Sequence, residues 1–266
     1  MVKGEKNGPC QGGLIRMLEL ENVTKYFGGL CAINDVSFSV KENESVGLIG
    51  PNGSGKTTLF NLITGVYKCS SGKIAFQGNR IDGTKPFRIC HMGVGRTFQI
   101  TRPFPHMTVR ENVAIGAIYG KTVKGISPRL ALQRADDVLE FVGLANRKHT
   151  LITNLTLADK KMVELAKAVS TQPKLLLLDE VMAGLNTTEV AELMKTVRKI
   201  HDSGTTVIII EHVMKAIVGL ASRTIVINFG NKIADGPTHE VMNEKGVIET
   251  YLGKEFKVVR SLRAAS

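Results

Sequence analysis

The sequence lacks what a chain needs to cross a bilayer or to be stapled by metal or disulfide. Its longest apolar runs, such as Leu175 to Leu178 and Val207 to Ile210, fall far below the roughly 18 to 20 residues of a spanning helix. No charged-then-apolar segment of the secretory type opens it. Cysteine is scarce, and Cys10, Cys31, Cys69 and Cys90 show neither CxxC nor Cys/His ligand spacing. That argues against a zinc site or a disulfide framework and for reduced thiols. Internal repeats and low-complexity tracts are absent. Acidic residues are also short, 24 against 35 Lys and Arg, which leaves a formal net charge of +11. Such an excess suggests nucleic acid or an anionic membrane until it is located along the chain. Lys3, Lys6 and Arg16 against Glu5 give +2 in residues 1–16, and Lys254, Lys257, Arg260 and Arg263 against Glu255 give +3 in residues 254–266. The remaining +6 is spread without a block, as on a solvated surface.

What the sequence does contain is a phosphate-binding loop. Gly50, Pro51, Asn52, Gly53, Ser54, Gly55, Lys56, Thr57 and Thr58 lie between an apolar strand, Ser45 to Ile49, and an amphipathic helix expected from Thr57 to Val66. The glycines let backbone N–H groups turn inward without Cβ obstruction and form a nest for the β-phosphate at a helix N-terminus. Lys56 can reach the β- and γ-phosphates, and the Thr57 hydroxyl can ligate Mg²⁺. This pattern in this context implies a nucleoside triphosphate as ligand.

The 266 residues suffice for one large domain, or one domain with a lobe inserted in it. Residues 1–16 carry four glycines and a proline ahead of the first periodic strand and are expected to form a flexible leader. Strands are expected at Leu18 to Val23 and Ala32 to Val40, and a strand pair around Lys73 to Ile81 turns at Gly78 and Asn79. Between Gly93 and Leu155 the pattern becomes helical, most clearly from Pro128 to Val142, where Leu130, Ala131, Ala135, Val138, Leu139 and Val142 share a face. Strands return at Lys174 to Leu178, Thr205 to Ile210 and Thr224 to Asn228, with helices at Thr187 to His201 and His212 to Leu220 between them. The alternation predicts an α/β domain with a largely parallel sheet and its chemistry at the carboxyl ends of the strands.

Two further groups belong at those ends. The run LLLLDE, Leu175 to Glu180, reads as a buried strand closing on two carboxylates. Asp179 can hold Mg²⁺ through its water shell, and Glu180 can orient or deprotonate an attacking water. His212 follows the apolar strand of TVIIIEH and emerges on the same side.

With these motifs in this order, the chain resembles the ATP-binding subunits of ATP-binding cassette (ABC) transporters from about Met17 to Gly253, and looks most similar to those that drive bacterial branched-chain amino acid importers. The stretches that carry the resemblance are KYFGGLCAINDVSFSV, GRTFQITRPFPHMTVRENV, LLLLDEVMAGLN, IIIEHVMKAIVGLASRTIVINFG and ETYLG. It implies a RecA-like P-loop NTPase core with an N-terminal antiparallel β subdomain, an inserted helical subdomain at about 96–160 and a basic tail at 254–266. It implies ATP and Mg²⁺ as cofactors, with Phe27 stacking on adenine and Tyr26 as the alternative. Gln99 would sense the γ-phosphate, contribute to the metal site and couple to the membrane subunit, and His212 would act as a switch histidine. The implied partners are transmembrane permease subunits, a second ATP-binding subunit and, indirectly, a solute-binding protein, at the cytoplasmic face of the membrane and without nucleic acid. Phe98, Ile100, Pro103 and Phe104 are candidate permease contacts.

The sequence departs from the family pattern in three places. Where the family reads Leu-Ser-Gly-Gly-Gln, this chain has Leu155, Thr156, Leu157, Ala158 and Asp159. The family uses that segment to clasp the partner subunit's ATP, so Thr156 is the hydroxyl left for the task. Thr156 and Asp159 also fit a capping box ahead of a helix expected from Lys160 to Val169. The residue after the catalytic carboxylate, usually proline, is Val181, and the loop that usually closes on Asp closes on Asn186. Three alternatives stay open: an importer of urea or amides, a soluble cassette ATPase acting on nucleic acid, and a scaffold that binds ATP without turning it over. The short interval between Gln99 and Leu155 argues against the long insertions of the nucleic-acid class.

Overall fold

The computed structural model describes residues 16–98, 103–120 and 126–247. The leader apart from Arg16, Cys10, Gln99, Ile100, ETYLG and the basic tail lie outside them. Strands β1 (Arg16–Phe27) and β2 (Leu30–Lys41) form a hairpin, followed by β3 (Ser45–Ile49), α1 (Lys56–Ile63), β4 (Ser71–Phe76), β5 (Asn79–Arg80), α2 (Pro86–Met92) and β6 (Val94–Arg96). Three helices come next, α3 (Val109–Tyr119), α4 (Pro128–Phe141) and α5 (Leu157–Ser170). The chain then runs through β7 (Leu175–Asp179), α6 (Thr187–Asp202), β8 (Thr206–Ile210), α7 (Met214–Leu220), β9 (Arg223–Asn228), β10 (Asn231–Pro237), α8 (Thr238–Val241) and α9 (Lys245–Val247).

Two sheets result. One is antiparallel in the order β2-β1-β4-β5, and the other runs β10-β9-β3-β8-β7-β6, parallel except for β10. The near-continuous apolar runs of β3, β7 and β8 follow from burial on both faces. Leu175, Leu177, Ile208 and Ile210 pack toward β1, β2 and α1, while Leu176, Leu178, Val207 and Ile209 pack toward α6 and α7. A third core, built on Val113, Ala117, Ala131, Ala135 and Leu139, holds α3 and α4 together. Helix α5 serves two cores, giving Leu165 and Ala168 to the sheet and Val163 and Ala166 to the helical lobe.

Several element boundaries differ from the expectation for identifiable reasons. Helix α1 stops at Ile63 rather than Val66, because the Thr64 hydroxyl bonds the Phe60 carbonyl and Gly65 turns to φ 73°, leaving Val66 half exposed. Helix α5 begins at Leu157, three residues before the expected start, directly after its cap Thr156. Leu130 is exposed, off the face on which Ala131, Ala135 and Leu139 are buried. Strand β6 lies in the stretch expected to be helical, and strand β10 and helix α2 were not expected. Strand β10 tolerates Gly236 and Pro237 because it lies at the sheet edge. Among the described residues no helix is long and apolar enough to cross a membrane.

Candidate active site

The carboxyl ends of β3, β7 and β8 lie side by side, because β8 pairs with both of the others. They meet at a cleft of about 360 Å³ lined by Phe27, every residue from Asn52 to Thr58, Glu180, Phe229 and Gly230. The loop backbone permits no side chain at its two tightest points. A Cβ on Gly50, at φ 154°, would sit 1.9 Å from the Ile227 carbonyl oxygen, and one on Gly55, at φ 109°, would sit 2.6 Å from that of Ala32. No side chain caps α1, so its first N–H groups face the cleft with their partial positive charge.

Lys56 is buried, and its ammonium donates to the carbonyls of Gly50 at 2.7 Å and Pro51 at 2.9 Å. Burial pushes its pKa below the ordinary lysine value, against the pull of Glu180 and Asp179. Phe27 closes the far side of the cleft, its ring edge-on to Tyr67 at 5.1 Å and under the Lys25 ammonium at 4.9 Å. Tyr26 does not line the cleft.

Asp179 is fully buried, and its Oδ2 accepts from Arg96 on β6 at 2.7 Å. Arg96 also donates to the Asn61 side chain at 2.6 Å and stacks between Phe60 and Phe98. Burial pushes the Asp179 carboxyl up, and the Arg96 ion pair only partly offsets it. The other oxygen, Oδ1, is buried without a hydrogen-bond partner among the described residues. A buried orphan carboxylate oxygen suits the water shell of a hard cation, so this donor fits Mg²⁺.

Glu180 follows in the left-handed region at φ 51°, a strained conformation for a residue with a side chain. Its backbone is held by its N–H, which donates to the Ile210 carbonyl at 2.9 Å, and by its carbonyl, which accepts from Lys161 and from the Ala183 N–H, both at 3.3 Å. Its Oε1 lies 3.0 Å from His212 Nε2. Thr156 stands apart, at the start of α5, where its hydroxyl accepts from the Asp159 N–H at 3.2 Å. The reciprocal half of the expected capping box is missing. Asp159 turns instead to Arg147, 3.7 Å away, whereas Thr108 with Glu111 and Asn186 with Glu189 form both halves.

Three residues at the site were not singled out from sequence. Arg96 ends a three-residue strand within a stretch that read as helical. Glu211 is buried beside His212 and was read only as the end of an apolar run. Phe229 sits at the tip of the β9–β10 hairpin at φ 44°, beside Gly230 at φ 77°. That tip is bonded on both sides, Gly230 N–H to the Ser54 carbonyl at 2.9 Å and the Gly230 carbonyl to the Asn34 N–H at 2.8 Å.

The same arrangement occurs in proteins of known type. A family model described as ABC transporter matches residues 33–183. The chain is 39% identical over 252 residues to the high-affinity branched-chain amino acid transport ATP-binding protein LivG of Salmonella typhimurium, covering 90% of this chain and 98% of that one. It is 35% identical over 250 residues to the corresponding protein BraF of Pseudomonas aeruginosa, covering 90% and 98%. Among solved structures it superposes on a nucleotide-free ATP-binding cassette of an ABC transporter at 32% identity and a TM-score of 0.80, covering 90% of this chain and 99% of that one. A cassette in its ADP conformation matches with the same identity, coverage and TM-score. A nucleotide-phosphate nest facing paired carboxylates, on a chain alike from end to end to such cassettes, leaves one assignment: the chain belongs to the ABC transporter family, as one of its ATP-binding ATPase subunits.

Proposed function

We propose that this chain powers a branched-chain amino acid importer from the cytoplasmic face of the membrane, with Glu180 as the base that activates water for attack on the γ-phosphate. The observation that carries the reading is the 3.0 Å contact between Glu180 and His212 at the rim of a cleft with Lys56 at its base. In this reading the α1 N–H groups and Lys56 bind and orient the triphosphate, and Phe27 takes the adenine face. Thr57, Asp179 and Gln99 would hold Mg²⁺, which when bound neutralises charge on the β- and γ-phosphate oxygens. Glu180 accepts the proton of the attacking water, and His212 keeps that carboxylate aimed at it.

The reading takes residues 17–253 as the nucleotide-binding domain with a helical subdomain at about 96–160. A second ATP-binding subunit would meet the cleft through its own Thr156 segment. An apolar groove of about 210 Å³, lined by Val66, Pro86, Ile89 and Phe98, suits a permease loop, with the solute-binding protein coupled only through that permease. Pro103 and Phe104 do not line this groove. The cargo reading draws on LivG and BraF, whose names state branched-chain amino acid transport.

Glu180→Gln keeps size and hydrogen bonding while removing the base. The expected result is ATP binding retained and turnover lowered by roughly 10² or more. Parental turnover in that variant would move the base elsewhere. For the cargo, the chain assembled with its permease subunits and receptor should drive uptake of leucine, isoleucine or valine. Uptake of urea or short amides instead would replace that part of the reading.

A further inference from the structure

Glu211 lies behind the catalytic pair, buried with 1% of its surface exposed, and takes no part in the mechanism above. Its Oε1 accepts from the Met182 N–H at 2.8 Å, and His212 is the next residue along the chain. Met182 belongs to the loop that leaves β7 two residues after Glu180, and His212 belongs to the loop that leaves β8. One carboxylate therefore joins the two loops that carry the catalytic pair. The backbone bond from Glu180 N–H to the Ile210 carbonyl and the Glu180–His212 contact tie the same two strand ends.

Lys161 of α5 adds a third element. It is buried, donates to the Glu180 carbonyl, and its positive charge acts on Glu211, Glu180 and Glu164. Among the described residues the titratable groups around Glu211 are thus Glu180 from β7's exit, His212 beside it in sequence, and Lys161 from α5, on which Glu164 in turn acts.

We propose that Glu211 is a positioning residue for ATP hydrolysis, holding Glu180 and His212 in register by tying the Met182 amide to the β8 exit that carries His212, with Lys161 extending that register to α5. The physical logic is that Glu180 sits in a strained backbone conformation, which persists only where surrounding bonds over-determine it. Released from Glu211, the β7 exit loop can relax and carry the Glu180 carboxylate away from the attacking water. A misplacement on the order of 1 Å at such a base costs turnover far more than binding.

Burial pushes the Glu211 carboxyl up to about 7, with Glu180 adding to the rise and the amides of Met182 and His212 and the charge of Lys161 opposing it. A carboxyl titrating there changes the charge next to the catalytic pair in the working range. The site thereby acquires a pH dependence separate from that of Glu180 itself.

This inference rests on the Glu180–His212 assignment, and the two fail differently. Turnover of the full chain is measured between about pH 6 and 9 in parent, Glu180→Gln, Glu211→Gln and Glu211→Ala, together with ATP affinity by direct titration. Parental turnover in Glu180→Gln removes the assignment whatever the Glu211 variants do. If the assignment stands, Glu211→Ala should lower kcat at least about tenfold with ATP affinity within about twofold of the parent. Glu211→Gln keeps an oxygen for the Met182 amide, so it should recover most of the parental kcat while losing the inflection near about 7. A parental kcat in Glu211→Ala, or a loss of ATP affinity equal to the loss of turnover, overturns the proposal. Should Glu211→Ala fail to fold, the glutamine variant decides: an unchanged pH profile overturns the proposal, and a flattened one with kcat retained supports it.

Discussion

Two helix starts in this molecule, α1 at the cleft and α5 at Thr156, are built on opposite principles. At α1 the backbone makes the site, since Gly50 and Gly55 stand where any Cβ would strike a carbonyl oxygen and no side chain caps the helix. At α5 the site is made of side chains: Thr156 caps, Leu157 is exposed, and Asp159 is tied to Arg147. A backbone-built site fixes its sequence almost letter by letter. A side-chain-built one needs a capping residue and little else, so it can drift from the family's glycine pattern and still start its helix.

The contrast is tested first where the largest effect is expected. Gly50→Val should abolish ATP binding and lower the melting temperature sharply, because its branched side chain must displace the Ile227 carbonyl that a Cβ would meet at 1.9 Å. A variant that binds ATP with parental affinity would show that the loop yields where the geometry says it is rigid. Lys56→Ala comes next. It removes the cation proposed to meet the β- and γ-phosphates and should weaken ATP affinity at least tenfold, about 1.4 kcal/mol, with an unchanged affinity in direct titration contradicting the phosphate role.

On the α5 side the expected effects are smaller and fall on stability. Thr156→Ala loses the one bond that caps the helix and should cost about 1 kcal/mol in denaturant unfolding, with Thr156→Ser restoring it. Asp159→Ala should cost no more than about 0.5 kcal/mol, since its ion pair with Arg147 is partly exposed and it makes no reciprocal cap. Asp159→Gln should leave stability alone and tighten ATP-dependent pairing of subunits, because it removes a negative charge from where a partner's γ-phosphate would dock. Unchanged pairing would mean that Arg147 already neutralises the charge.

The same distinction explains what could be read from the sequence. The phosphate loop was legible because its chemistry is stated in residue types at fixed spacing, and β7 because four leucines ending in Asp179 and Glu180 allow little else. Helix α5 was recognised, yet its start was placed late and the Asp159 contact was mistaken, since the choice between a backbone N–H and Arg147 is made by a neighbouring segment. Arg96 was invisible for a related reason. Its role depends on β6 pairing with β7, and a run of Val94, Gly95 and Arg96 carries no strand period to announce that pairing. Glu211 stood in plain view beside His212, but burial and a bond to Met182 are properties of the folded chain.

The tip of the β9–β10 hairpin bears on how this chain can be cut and rejoined. A tight surface turn between an edge strand and its neighbour is ordinarily where a tag, a second domain or a new terminus is accommodated. Here Gly230 gives its N–H to the phosphate loop and its carbonyl to Asn34 within β2 of the other sheet. Lengthening the tip by even one residue would misalign both bonds, and a permuted chain opened there would lose the piece that spans the two sheets. For anyone labelling or splitting this protein, the most exposed aromatic side chain of the described chain marks a place to leave intact.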